Sequence, residues 1–228
     1  MIASLVSPEL RARVRRLMLP IALAFGRLGL TPNALTVIGF GISVGAGVAA
    51  AAGAWIAAGA LVIVGGVFDL FDGALARATN RVSRVGAFLD SVFDRAGEAV
   101  VYIGIVAGSL AAGFGTGALL AVGALASSLM VSYTRAKSES LGFTPGTGMA
   151  NVGLAPREVR LVLLTIGLIL TGWLGGLGLV DSGFPGDSWQ KGAAVLATTL
   201  GLITVLATIT TIQRIVHVIR QSATEEHA

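Results

Sequence analysis

The sequence predicts an all-α integral membrane protein, with six transmembrane helices preceded by an N-terminal interfacial amphipathic helix. Of its 228 residues, 54% are hydrophobic and 12% charged, with a mean hydropathy of +0.85. A soluble domain averages about 25% charged and about 45–50% apolar. The charges are also segregated: none lies between Arg27 and Asp69, Glu98 and Arg135, Arg160 and Asp181, or Lys191 and Arg214. The 32 glycines stand against only 6 prolines and follow no G-X-Y period. This suits closely approaching membrane helices rather than collagen or a linker.

Residues 8–27 place Leu10, Val14, Leu17 and Ile21 at helical spacing among arginines, the pattern of a helix lying in the membrane interface rather than a cleaved signal. The Thr31-Pro32-Asn33 turn starts the next helix afresh. Each charge-free stretch is then divided by the roughly 20 apolar residues one crossing needs. The spans fall at 34–52, 54–79, 84–112, 116–139, 157–179 and 191–219, with turns near Gly53 and Gly113-Phe114-Gly115. Residues 140–156 form the longest glycine-rich loop. The whole chain, 1–228, reads as one membrane domain whose helical bundle occupies 34–219.

Basic residues set the orientation. Arg11, Arg13, Arg15, Arg16 and Arg27 precede the first span, Arg77, Arg81 and Arg84 sit at the second-to-third junction, and Arg135, Lys137, Arg157 and Arg160 flank the fourth-to-fifth. Arg214 and Arg220 close the last span, while the opposite turns carry no basic residue before Lys191. A multi-pass protein of the cytoplasmic membrane follows, with both termini and the charged end in the cytoplasm. Topology accounts for the net charge of +4, so no nucleic-acid partner is expected. With no cysteine and only His217 and His227, thiolate chemistry, Fe–S clusters, zinc-thiolate sites and histidine triads are excluded.

The acids are the anomaly. Asp69, Asp72, Asp90 and Asp94 stand in or at the ends of apolar helices, where an aspartate costs roughly 2.5–3.5 kcal/mol at the centre of a span. Spacings of three and four put each pair on one helix face, and the polar turn 78–84 folds the two helices together. Four clustered carboxylates need neutralising, and hard oxygens without histidine or thiolate select Mg²⁺, Mn²⁺ or Ca²⁺. The alternative is salt bridging to Arg77, Arg81, Arg84 and Arg95. Glu98 is read separately, as a partner of Arg95 or a helix-end residue.

Asp69-Leu-Phe-Asp72-Gly73-Ala-Leu-Ala76-Arg77, eight residues, then Gly86-Ala-Phe-Leu-Asp90-Ser-Val-Phe-Asp94 resembles the full signature of the CDP-alcohol phosphotransferases. The six-span pattern and Thr31-Pro32-Asn33-Ala34-Leu35-Thr36 extend the resemblance over essentially the whole chain. The resemblance implies displacement of CMP from a CDP-linked lipid, CDP-diacylglycerol, by an acceptor hydroxyl. It implies two Mg²⁺ ions, with Mn²⁺ a substitute, held by Asp69, Asp72, Asp90 and Asp94, the last also the catalytic base. Gly73 and Ala76 would leave room for the nucleotide and Arg77 would meet a phosphate, while Asn33, Thr36, Ser83 and Gly86 would complete the CDP-lipid site. A homodimer is expected too, with small-residue faces such as 41–47 available for association in the membrane.

The acceptor is sought in a second basic group. Arg157 and Arg160 share a helix face, and with Ser132, Arg135 and Arg214 they would form an acceptor-phosphate pocket. Lys137 and Arg220 are read as topological anchors. Within the family, Ser132-Tyr133-Thr134-Arg135-Ala136-Lys137, Arg157-Glu158-Val159-Arg160-Leu161 and Gln213-Arg214 are most similar to prokaryotic phosphatidylinositol-phosphate synthases. That implies inositol 1-phosphate as acceptor. The sequence departs from the pattern in having arginine at 135, where lysine is usual, and at Glu158-Val159. A phosphatidylglycerophosphate synthase, taking glycerol 3-phosphate, is the alternative. A cation transporter is a remote one, because the acids gather at one end beside arginines rather than at the midplane.

Overall fold

The computed structural model describes residues 8–143, 149, 152–175 and 187–225, and these form seven helices and no strand. They are α1 (Pro8–Arg27), α2 (Pro32–Ala51), α3 (Trp55–Ala78), α4 (Arg84–Ala111), α5 (Gly115–Ser140), α6 (Arg157–Gly175) and α7 (Asp187–Glu225). Most ends fall within two residues of the expected ones. The predicted end of the fifth span, 176–179, and residues 144–148, 150 and 151 of the loop 140–156 lie outside the described residues. α7 runs beyond its apolar stretch at both ends. Charge stops a span but not a helix, and Gln, Arg and Ala remain good helix formers.

Local chemistry fixes the boundaries. Pro32 opens α2, and Thr31 Oγ1 accepts from the Ala34 amide at 3.2 Å. Ser83 does the same for α4, its Oγ accepting from the Gly86 amide at 2.9 Å. The tight turns after α2 and α4 place Gly53 and Gly113 at φ of 74° and 69°, where a side chain would be strained.

Five helices are long and apolar enough to cross a membrane: α2, α3, α5, α6 and α7. α4 falls short on composition because its first half carries Asp90, Asp94, Arg95 and Glu98. It nevertheless packs between α2 and α5 and completes the bundle of six. The remaining neighbours are α2 with α3, α3 with α6, and α7 with both α5 and α6. At the outer surface Leu119 and Trp173 are 75% and 72% exposed, as lipid-facing residues should be.

The α2–α4 contact is the closest approach. A Cβ on Gly104 would stand 2.0 Å from the Gly47 carbonyl oxygen, and one on Gly108 would stand 2.1 Å from that of Ala50. Gly47, part of the face offered above for dimerisation, is therefore used inside the chain, whereas Gly41 meets nothing within 4 Å.

The helix α1 lies against the bundle, on α3. Of the stripe read from its sequence only Ile21 has a described side chain; it is 44% exposed, while Ala22 is fully buried in a cluster with Leu35, Phe71, Ala74 and Leu75. Phe25 joins that contact, its ring 5.9 Å from Phe68 and 5.5 Å from Phe71. The side chains of Leu10, Val14 and Leu17 are outside the described residues.

Candidate active site

The antiparallel run of helices brings the end of α3, the first half of α4, the start of α6 and the last third of α7 to one end of the bundle. There α3 presents Asp69 and Asp72, and α4 presents Asp90 and Asp94, one turn apart. Asp72 is buried and accepts a 2.6 Å hydrogen bond from the Thr36 hydroxyl of α2. That bond fixes Oδ2 of the carboxylate. Gly39 gives Asp69 its space, since a Cβ there would sit 3.4 Å from Asp69 Oδ1. Asp90 is half-buried one turn before Asp94.

The acids are tied together by a residue expected elsewhere. Arg157, at the start of α6, pairs Nη2 with Asp69 Oδ2 at 3.0 Å and Nη1 with Asp94 Oδ1 at 2.9 Å. Arg95 adds a looser contact, Nη1 to Asp94 Oδ2 at 3.6 Å. Of the arginines weighed as neutralisers, only Arg95 therefore reaches an aspartate of this set among the described pairs. Arg157, placed by sequence with the acceptor group, adjoins the metal group as well.

Glu98 is also paired differently from the reading by sequence. Arg160, not Arg95, takes it: Nε donates to Glu98 Oε1 at 3.0 Å and Nη2 to Oε2 at 2.9 Å, while Nη1 donates to the Ala155 carbonyl at 3.0 Å. Arg160 is fully buried and Glu98 is 6% exposed. All three guanidinium nitrogens of Arg160 are thus engaged within the protein, which makes it a strut between α4 and α6 rather than an open phosphate ligand. Asp94–Arg157 and Glu98–Arg160 form a two-rung ladder: acids four apart on α4 face arginines three apart on α6.

The other basic residues lie where α5, α6 and α7 meet, with Arg214 in electrostatic range of Arg135 and Arg160. Arg214 is buried and donates from Nε to the Val152 carbonyl at 3.0 Å and from Nη1 to the Val131 carbonyl. Arg135 pairs with Glu139 at 2.9 Å on the exposed end of α5, and Ser132 is half-buried one turn earlier. Thr210, which sequence reasoning missed, accepts from the Leu154 and Ala155 amides at 3.1 and 2.9 Å. Gly153 makes that contact possible, since its φ is +117° and a Cβ there would lie 2.2 Å from the Thr210 methyl. Residues 152–155 are therefore clamped by α6 and α7 beside the acids.

The residues expected to meet the nucleotide lie at the starts of α2 and α4 and the end of α3. A Cβ on Gly86 would lie 3.3 Å from Asn33 Oδ1 and 3.0 Å from Ser83 Oγ, so these three are neighbours. Arg77 folds back over Gly73, where a Cβ would stand 3.2 Å from its Nη1. Ala76 is half-buried on the following turn.

The donor set fits a hard divalent ion: carboxylate oxygens from two helices, with a cation already drawn between two of them. Among the described residues no three of these acids converge on one point, and Arg157 stands between Asp69 and Asp94.

Residues 29–224 match the CDP-alcohol phosphatidyltransferase family. An archaetidylinositol phosphate synthase of Methanothermobacter thermautotrophicus is 34% identical over 210 residues, 92% of this chain and 92% of the relative. A phosphatidylinositol phosphate synthase of Streptomyces avermitilis is 36% identical over 221 residues, 96% of this chain and 84% of the relative. The crystal structure of Mycobacterium tuberculosis phosphatidylinositol phosphate synthase with CDP-DAG bound has a TM-score of 0.74 at 27% identity, covering 89% of this chain and 94% of that one. The same enzyme in complex with manganese and citrate gives 0.72 at 26%, covering 89% and 88%. The chain, a membrane phosphotransferase, belongs to the CDP-alcohol phosphatidyltransferase family.

Proposed function

We propose that this protein transfers the phosphatidyl group of CDP-diacylglycerol to the hydroxyl of inositol 1-phosphate, releasing CMP. The observation that carries the proposal is the meeting of Asp69 and Asp94, from α3 and α4, with Arg157 from α6. A carboxylate cluster suited to a metal-bound diphosphate thus adjoins a cation suited to a second phosphate. The acceptor rests on the relatives, whose names share a lipid-linked inositol phosphate as product while differing in the lipid.

Asp69, Asp72, Asp90 and Asp94 would hold two Mg²⁺ ions, with Mn²⁺ able to substitute. When bound, such ions neutralise the diphosphate and the charge that develops on departing CMP. The rest belongs to the chain. Thr36 fixes Asp72 by its 2.6 Å hydrogen bond, so this ligand is aimed in advance. Asn33, Ser83 and Gly86 form the nucleotide end, Gly73 and Ala76 keep side chains out of its slot, and Arg77 takes a phosphate oxygen. Asp94 removes the proton from the acceptor hydroxyl as that oxygen attacks phosphorus.

Arg157 grips the acceptor phosphate with Ser132, Arg135 and Arg214, and Arg160 supports it by fixing α6. The active site faces the cytoplasm, following the basic residues at its end of the bundle, and the protein works as a homodimer. Chelation tests the metal proposal. EDTA should abolish CMP release and Mg²⁺ or Mn²⁺ restore it, while activity indifferent to chelation would overturn it.

A further inference from the structure

We propose that Arg157 and a divalent ion compete for Asp69 and Asp94, so that metal binding hands the Arg157 guanidinium over to the anionic acceptor. This rests on the function proposed above and adds an order to it: metal first, phosphorylated acceptor second. The two terminal nitrogens of Arg157 take one oxygen from each carboxylate, at 3.0 and 2.9 Å. These are two of the four carboxylates to which the metal is assigned. A divalent ion placed among them would repel the guanidinium at short range, in surroundings drier than bulk water. The two cations therefore do not share the carboxylates.

The exchange needs no movement of helices. Three residues along α6, Arg160 is fully buried and held by Glu98 and the Ala155 carbonyl through three hydrogen bonds. That lower rung keeps α6 in register with α4. The upper rung is built otherwise: the Arg157 side chain is 26% exposed, and its Nε is buried without a hydrogen-bond partner. The guanidinium is thus incompletely satisfied on the aspartates. Swung away, it offers its full planar fork to a phosphate, the geometry arginine suits best. Metal and phosphate must then strengthen one another's binding, because coupling between two sites is reciprocal.

The test is calorimetric titration of the purified full chain with Mn²⁺, with and without methyl phosphate as the anion probe. Wild type should bind Mn²⁺ more tightly with the probe present. Arg157→Gln should bind Mn²⁺ at least about fivefold more tightly than wild type, having lost the competitor, and should lose the effect of the probe. Unchanged or weaker Mn²⁺ binding by this variant would overturn the exchange while leaving the proposed function standing. Failure of wild type itself to bind Mn²⁺ would overturn both. If Arg157→Gln does not remain monodisperse, Arg157→Lys carries the test. A lysine lacks the planar fork whose two nitrogens each take one of these carboxylates, so Mn²⁺ should again bind more tightly, and unchanged or weaker binding would again count against the exchange.

Discussion

The proposed function gives Asp94 two duties, metal ligand and base, and its surroundings suit both. One oxygen meets Arg157 at 2.9 Å and the other lies 3.6 Å from Arg95, so the group is held but not enclosed. Replacing it with asparagine keeps the shape and removes the base. Asp94→Asn should lower CMP release by at least about 100-fold, the low end of what a general base contributes. CDP-lipid binding, measured separately, should largely survive; retained turnover would remove Asp94 as the base. The paired aspartates were legible from spacing, because three- and four-residue intervals are local facts of a helix. The partners of Arg157 and Glu98 were not. They lie 88 and 62 residues away, and only the packing of α6 on the bundle decides them. Sequence reasoning gave Glu98 its near neighbour Arg95, although the Asp94–Glu98 and Arg157–Arg160 intervals already fitted a ladder. Once formed, the lower rung is hard to lose, since breaking a buried pair by removing one partner costs about 3–5 kcal/mol.

At the scale of elements, boundaries followed from caps, turns and charge-free lengths, whereas the face a helix turns to its neighbour did not. Ala22 and Phe25 of α1 face α3, where Phe68 and Phe71 receive them, and apolar spacing along α1 did not single out either residue. Glycine content likewise announced close packing without saying which pair of helices used it. The α2–α4 pair does, through Gly47 and Gly104, and it positions Thr36 and the aspartates of α4 at the same end. Gly104→Ala places a methyl 2.0 Å from a backbone oxygen, so the two helices must part. Overpacking of this kind costs about 1–3 kcal/mol, or roughly 2–12 °C of thermal midpoint in a chain of this size. Gly41→Ala, with nothing within 4 Å, is the control and should leave the midpoint within about 2 °C of wild type. Equal midpoints for the two variants would mean that the α2–α4 contact is looser than described.

Across the whole molecule, charge is sparse and sorted. One group of arginines lies at the α1 end, a second sits at the α3–α4 junction beside the acids, and a third sits where α5, α6 and α7 meet. The structure merges the last two more closely than the sequence suggested, because Arg157 belongs to both. That merger is the basis for placing two phosphates side by side, one from the donor diphosphate and one on the acceptor. It also bears on specificity, since any phosphorylated alcohol could use the same cation and only contacts to the rest of the acceptor would discriminate. The decisive measurement is CMP release from CDP-diacylglycerol and Mg²⁺ by the purified protein, offered inositol 1-phosphate or glycerol 3-phosphate in parallel. Release with inositol 1-phosphate and not with glycerol 3-phosphate is the predicted result; release with glycerol 3-phosphate alone would contradict it.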